Sequence, residues 1–163
     1  MFPDALFEKY KSKGVLIDSN LLLLLAVGFY RRQRVETFKR TRRYSVDDFN
    51  LMWRVLGYFE RCITTPNILT EVNNLMRNLD DRELNPAAAA FSKLIAELFE
   101  VYVPSSEAVS HAAFPQFGLT DCITVAATQD VLVITDDLPL FGALSGFGRD
   151  ALNISHIRML NWT

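Results

Sequence analysis

The chain has 163 residues, of which 50% are hydrophobic and 22% charged, and a formal net charge of −2. That length suits one domain with a sizeable core, and the composition excludes a disordered chain. The longest purely apolar run, Leu21 to Val27, falls far short of the roughly 18 residues of a membrane span, and the N-terminus lacks a small-residue cleavage site. The sequence therefore reads as a soluble, cytoplasmic protein with no membrane partner. Cys62 and Cys122, without a CxxC partner or nearby His, exclude a disulfide framework and a zinc site and read as small buried hydrophobes.

The first ten or so residues suit a short helix ended at Gly14. Val15 to Asp18 reads as a buried strand, and Asn20 to Val27 as a helix that follows it directly. Next comes "RRQRVETFKRTRR", helical or loop, in which Arg31, Arg32, Arg34, Lys39, Arg40, Arg42 and Arg43 oppose one acid, Glu36. This is one basic segment on an otherwise acidic body. Its cations suit a phosphate backbone, although such runs also serve as solvated faces, and Phe29, Tyr30, Phe38 and Tyr44 could stack on bases or anchor the segment.

Ser45 is placed to cap a helix whose apolar stripe is Phe49, Met52, Trp53, Leu56 and Phe59. Ile63 to Thr65 is a short strand, Pro66 opens the helix "PNILTEVNNLMRNL", and "NPAAAAFSKLIAELFE" is a further helix leading to a strand at "VYVP". "GLTDCITVAATQ" reads as a helix with Thr120 near its N-cap, "VLVIT" as the clearest strand, and "LNISHIRML" as holding a last one. Strands alternating with helices predict right-handed crossovers, a mainly parallel sheet and an α/β/α sandwich of three layers in a single domain over 1–163. In such sheets ligands sit beyond the carboxyl ends of the strands, where the strand order reverses.

Two of the best strands finish in acids, "VLID" at Asp18 and "VLVITDD" at Asp136 and Asp137. Asp121 begins a helix before the second of these, so its reach to the same edge depends on the preceding loop. Glu71 lies about 40° outside the apolar stripe of its helix and faces either a cleft or water. Singly, each acid has a plain structural use as a cap, a turn residue or a solvated side chain. Together, carboxylates on one edge repel one another unless a cation sits among them, and hard oxygen ligands suit Mg²⁺ or Mn²⁺. A metal so held activates water for phosphodiester hydrolysis. His111 and His156 lack any motif context, and no Gly-rich phosphate loop is present.

The order "IDSN", "TPNILTEVNNLM", "GLTDCITVAAT", "VLVITDD" resembles the PIN-domain family of metal-dependent ribonucleases. The resemblance implies hydrolysis of single-stranded RNA with Mg²⁺ or Mn²⁺, with Asp18, Glu71, Asp121 and Asp137 as catalytic and metal-binding acids. It makes Asn20 and Thr135 supporting polar residues and Asp136 an additional metal-binding acid. Many members are toxins of toxin-antitoxin pairs, which implies an antitoxin protein partner and a homodimer. Against that compact pattern, residues 29–61 form a basic and helical insertion. Two other readings stay open: a catalytically silent PIN-like module that binds RNA or protein, and a phosphoryl-transfer domain with an acidic strand end.

Overall fold

The computed structural model describes residues 3–160, so the first two residues of the expected N-terminal helix lie outside the described part. Five strands, β1 (Val15–Ile17), β2 (Cys62–Thr64), β3 (Phe99–Glu100), β4 (Leu132–Thr135) and β5 (Ala151–Asn153), form one sheet in the order β3-β2-β1-β4-β5. Every pairing is parallel. Central β1 is wholly buried, as a strand covered on both faces must be.

The helices are α1 (Pro3–Tyr10), α2 (Ser19–Tyr30), α3 (Arg34–Thr37), α4 (Val46–Tyr58), α5 (Pro66–Met76), α6 (Asp81–Ala96), α7 (Ser105–Val109), α8 (Phe114–Ala127), α9 (Leu138–Gly146) and α10 (Ile154–Leu160). From β1 the chain winds outward through β2 to β3, then returns to β4 on the other side of β1 and continues to β5. Right-handed crossovers in opposite directions put their helices on opposite faces, giving the three-layer α/β/α sandwich. Helix α2 touches α3, α4, α5 and α6, and α8 touches α7 and α9 as well as α5. The strand order reverses between β1 and β4, which marks the crevice at their carboxyl ends.

Helix α2 is buried from Leu21 through Gly28 because it packs against α3, α4, α5 and α6 and shares one core with the residues of β1 and β4. Its apolar run is therefore core on every side. Gly28 is required by contact: the Phe49 ring occupies the space a Cβ would take. Among the described residues no helix is long and apolar enough to cross a membrane.

Several elements depart from the sequence reading. Helix α6 starts at Asp81, four residues before the expected Asn85, because the Glu83 carboxylate accepts from the Asp80 N–H (3.3 Å) and closes the first turn. The third strand is Phe99–Glu100 rather than "VYVP", where a single Val101 N–H to Thr64 O bond (2.9 Å) ends the pairing. Trp53 is 43% exposed, and Leu51 and Val55 join Phe49 and Met52 in the buried face of α4 instead. Gly118, at φ +80°, breaks α8 so that its second half begins just before Thr120. Cys122 is buried, but Cys62 only partly so.

Candidate active site

Each sequence-predicted acid can be placed from the element that carries it. Asp18 caps α2: its Oδ1 accepts from the Leu21 N–H at 2.9 Å. Its Oδ2 accepts from the Thr135 hydroxyl and from the Asp136 N–H at 3.2 Å. The side chain is buried, and burial, followed by the nearby Asp136 charge, pushes its pKa up to about 7 against the pull of those hydrogen bonds. Asp137 caps α9 by accepting from the Leu140 N–H at 2.9 Å, and its own N–H donates to Thr135 Oγ1 at 2.9 Å. The Thr135 hydroxyl thus joins the two strand-end acids across the crevice.

The other two acids come from helices. Glu71 is exposed on α5, where its Oε2 accepts from the Ser19 hydroxyl at 2.9 Å. Asp121 is partly buried on α8, and burial, then the charges of Asp137 and Glu71, raise its pKa to about 6. Glu71, Asp121 and Asp137 therefore share one electrostatic neighbourhood. Their oxygens and their mutual repulsion fit a hard divalent cation by chemistry. Among the described residues, however, no three acid, His or Cys side chains approach closely enough to hold one ion. The acids surround the edge without closing on a single point.

Asp136 is the acid nearest in effect to Asp18, whose pKa its charge helps to raise. Its Oδ2 accepts from the Tyr44 hydroxyl and from Arg43 Nη2 (2.8 Å), and its Oδ1 accepts from Asn20 Nδ2 at 3.4 Å. As at Asp18, both oxygens are engaged by protein donors, and Asn20 supports Asp136 rather than one of the other acids. Tyr44, buried against this carboxylate, has its pKa raised.

The basic segment is packed in place. Val35, Phe38, Thr41 and Tyr44 are buried at three-residue intervals, and the Thr41 hydroxyl donates to Val35 O at 2.8 Å. Arg34 is committed to Glu83, with Nη2 to Oε2 at 2.9 Å, and also faces Asp80 at 3.6 Å. Arg31 and Arg32 lie over the rings of Tyr30 and Phe49 at 5.4 and 5.7 Å. Lys39, Arg40 and Arg42 are exposed, and none of them has an ion pair among the described residues. Phe38 and Tyr44 act as anchors, whereas Phe29 stacks on Trp53 with 5.5 Å between ring centroids.

Nothing in the sequence signals the Ser19–Glu71 bond or the Arg43–Tyr44–Asp136 cluster. Ser19 stood inside "IDSN", but no spacing signal links it to a residue 52 positions away. The histidines have structural settings: His111 Nδ1 accepts from the Ala113 N–H at 3.2 Å and its ring meets Phe147, while His156 meets Phe141. Comparison of the chain with models of protein families, with curated proteins and with solved structures finds no match.

Proposed function

We propose that the chain is a divalent-metal-dependent endoribonuclease of PIN-like type that hydrolyses phosphodiester bonds of single-stranded RNA. The observation that supports this reading is that Asp18 and Asp137, at the carboxyl ends of β1 and β4, are linked through the Thr135 hydroxyl, while Ser19, next to Asp18, holds Glu71. Asp18, Glu71, Asp121 and Asp137 are the residues that would hold Mg²⁺ or Mn²⁺. Such an ion supplies activation of water and neutralisation of charge at the phosphodiester.

The chain's own residues have separable tasks. Helix caps fix Asp18 and Asp137, so neither carboxylate has to be ordered when substrate arrives. The Ser19 hydroxyl orients Glu71. Lys39, Arg40 and Arg42 draw in the phosphate backbone that the acids would otherwise repel, and Arg43 and Asp136 fix that cationic segment beside the crevice. A toxin role, with a small antitoxin protein and a homodimeric state, is the form of this reading that the motif order suggests.

A second reading, a silent PIN-like module that binds RNA or protein, is favoured by the absence, among the described residues, of three acids within reach of one ion. The two are separated by incubating labelled single-stranded RNA with the protein in Mn²⁺, Mg²⁺ or chelator, alongside Asp18→Asn. Metal-dependent cleavage that the substitution abolishes supports the nuclease. RNA binding without metal binding or cleavage supports the module, and equal cleavage by both proteins refutes the role given to Asp18.

A further inference from the structure

Beside Glu71 the surface forms a shallow depression of about 360 Å³, broadly open to solvent and lined by Pro66, Asn67, Thr70, Glu71 and Asn74 of α5 and by Thr120 of α8. The spacing 67, 70, 71, 74 is one face of a helix. This face meets α8 where α5 and α8 touch. Among the described residues the side chains of Asn67, Thr70, Asn74 and Thr120 make no hydrogen bond within the protein, and no Lys or Arg lines the depression. Two amides and two hydroxyls thus line one depression without a partner among the described residues, Thr70 and Asn74 exposed and Asn67 and Thr120 half-buried.

The position of this depression relative to the cations is set by consecutive residues at the start of α2. Ser19 reaches Glu71 on the side of the depression, while Asn20 reaches Asp136, which holds Arg43, on the cationic side. A strand whose phosphates lie on the basic segment and which crosses the acids would reach the depression next.

We propose that this depression is a base-binding subsite, taking one unpaired nucleobase of the RNA next to the cleaved bond, with Asn67 and Asn74 reading its edge. This rests on the ribonuclease reading. The chemistry favours a base over a phosphate, because Glu71 in the wall repels anions and the amides are neutral. A carboxamide presents a donor and an acceptor together, which matches the edge of an unpaired base. A depression of about 360 Å³ that is open to solvent can seat the edge of one base without enclosing it.

The test maps cut positions on a mixed-sequence single-stranded RNA in Mn²⁺ for the parent, Asn67→Ala and Asn74→Ala, with circular dichroism to confirm folding. Alongside it, fluorescence anisotropy measures metal-free binding of short oligo-A, oligo-C, oligo-G and oligo-U to the same proteins. The expected result is a base preference at a fixed position beside the cut in the parent, reduced on the order of tenfold in each variant. The homopolymer affinities should converge in parallel. Cleavage with the same pattern in all three proteins overturns the subsite while leaving the nuclease intact. If the parent does not cleave, the binding arm still decides: homopolymer affinities unaffected by both substitutions overturn the subsite and assign the depression to another kind of partner, such as a protein segment.

Discussion

Arg43 holds Asp136 with Nη2 2.8 Å from Oδ2, and the buried Tyr44 hydroxyl donates to the same oxygen. An acid at the end of a central strand is thereby used to fasten the basic segment. Asp136→Asn is therefore expected to keep Mn²⁺ binding, measured by calorimetry, whereas Asp137→Asn loses it. Tyr44→Phe should cost about 1.5–3 kcal/mol in urea unfolding, the range for losing a hydrogen bond to a charged group. Loss of Mn²⁺ binding in Asp136→Asn equal to that in Asp137→Asn would make Asp136 a ligand instead of a fastening.

The pair of Asp48 and Arg158 joins α4 to α10 through two bonds of 2.7 and 2.9 Å. Burial alone would raise the Asp48 pKa, but Arg158 and the Ser45 N–H outweigh it and the carboxyl lies below its usual range. The unfolded carboxyl titrates at about 3.9. Because the folded pKa is the lower one, the stabilisation is fully present above that pH and lost as pH falls through the folded value. Arg158→Gln should destabilise by about 1 kcal/mol at pH 7, a modest figure because the guanidinium is partly exposed. The difference from the parent should shrink toward zero in urea titrations at pH 2–3, on the order of a unit or more below the unfolded pKa. A difference independent of pH would show that packing, not charge, is what Arg158 contributes.

Gly28→Ala directs a methyl group into the Phe49 ring, which is itself 3% exposed and has nowhere to step aside. Overpacking of this kind costs about 1–3 kcal/mol. The thermal midpoint should drop by several degrees, about 2–4 °C for each kcal/mol in a chain of this size. An unchanged midpoint would mean that α2 and α4 can separate freely.

Lys39, Arg40 and Arg42 are the exposed cations of the basic segment that lack ion pairs among the described residues. Replacing all three by Gln should weaken binding of single-stranded RNA at low salt. It should also reduce the slope of log affinity against log salt by about 2, at roughly 0.7 per phosphate contact. Arg34→Gln should instead lower stability, since Arg34 is committed to Glu83. An unchanged salt slope in the triple variant would remove the segment from the RNA surface.

The architecture was legible wherever local pattern and burial agree. "VLI" and "LVIT" form strands because they are apolar throughout and bounded by polar residues, and their acids fall at one edge because both strands run the same way. The end of β3 was not legible, since pairing with β2 depends on where Val101 leaves the sheet and not on β propensity. The exposure of Trp53 was hidden for a similar reason: helical period identifies a stripe, but stacking on Phe29 lets a large ring remain at the surface. At the candidate site the acids themselves were readable, while the donors that differentiate them were not. The motif order ranks Asp137 above Asp136, but the partners of Asp136, Tyr44 and Arg43 from 92 and 93 positions away, carry no signal in the sequence.

Of the four acids, Glu71 is the most informative to change. It is exposed, it caps no helix, and it accepts only from Ser19 among the described residues, so Glu71→Gln leaves the fold's own hydrogen bonds almost untouched. The decisive measurement is the initial rate at which the parent and Glu71→Gln cleave one labelled single-stranded RNA in Mn²⁺, with unfolding midpoints recorded for both. A shared metal site requires a parent that cuts only with metal and a variant slowed on the order of a hundredfold or more, as expected when a group acting in the transition state is removed, at an unchanged midpoint. Equal rates in the two proteins, or no metal-dependent cleavage by the parent, would contradict it.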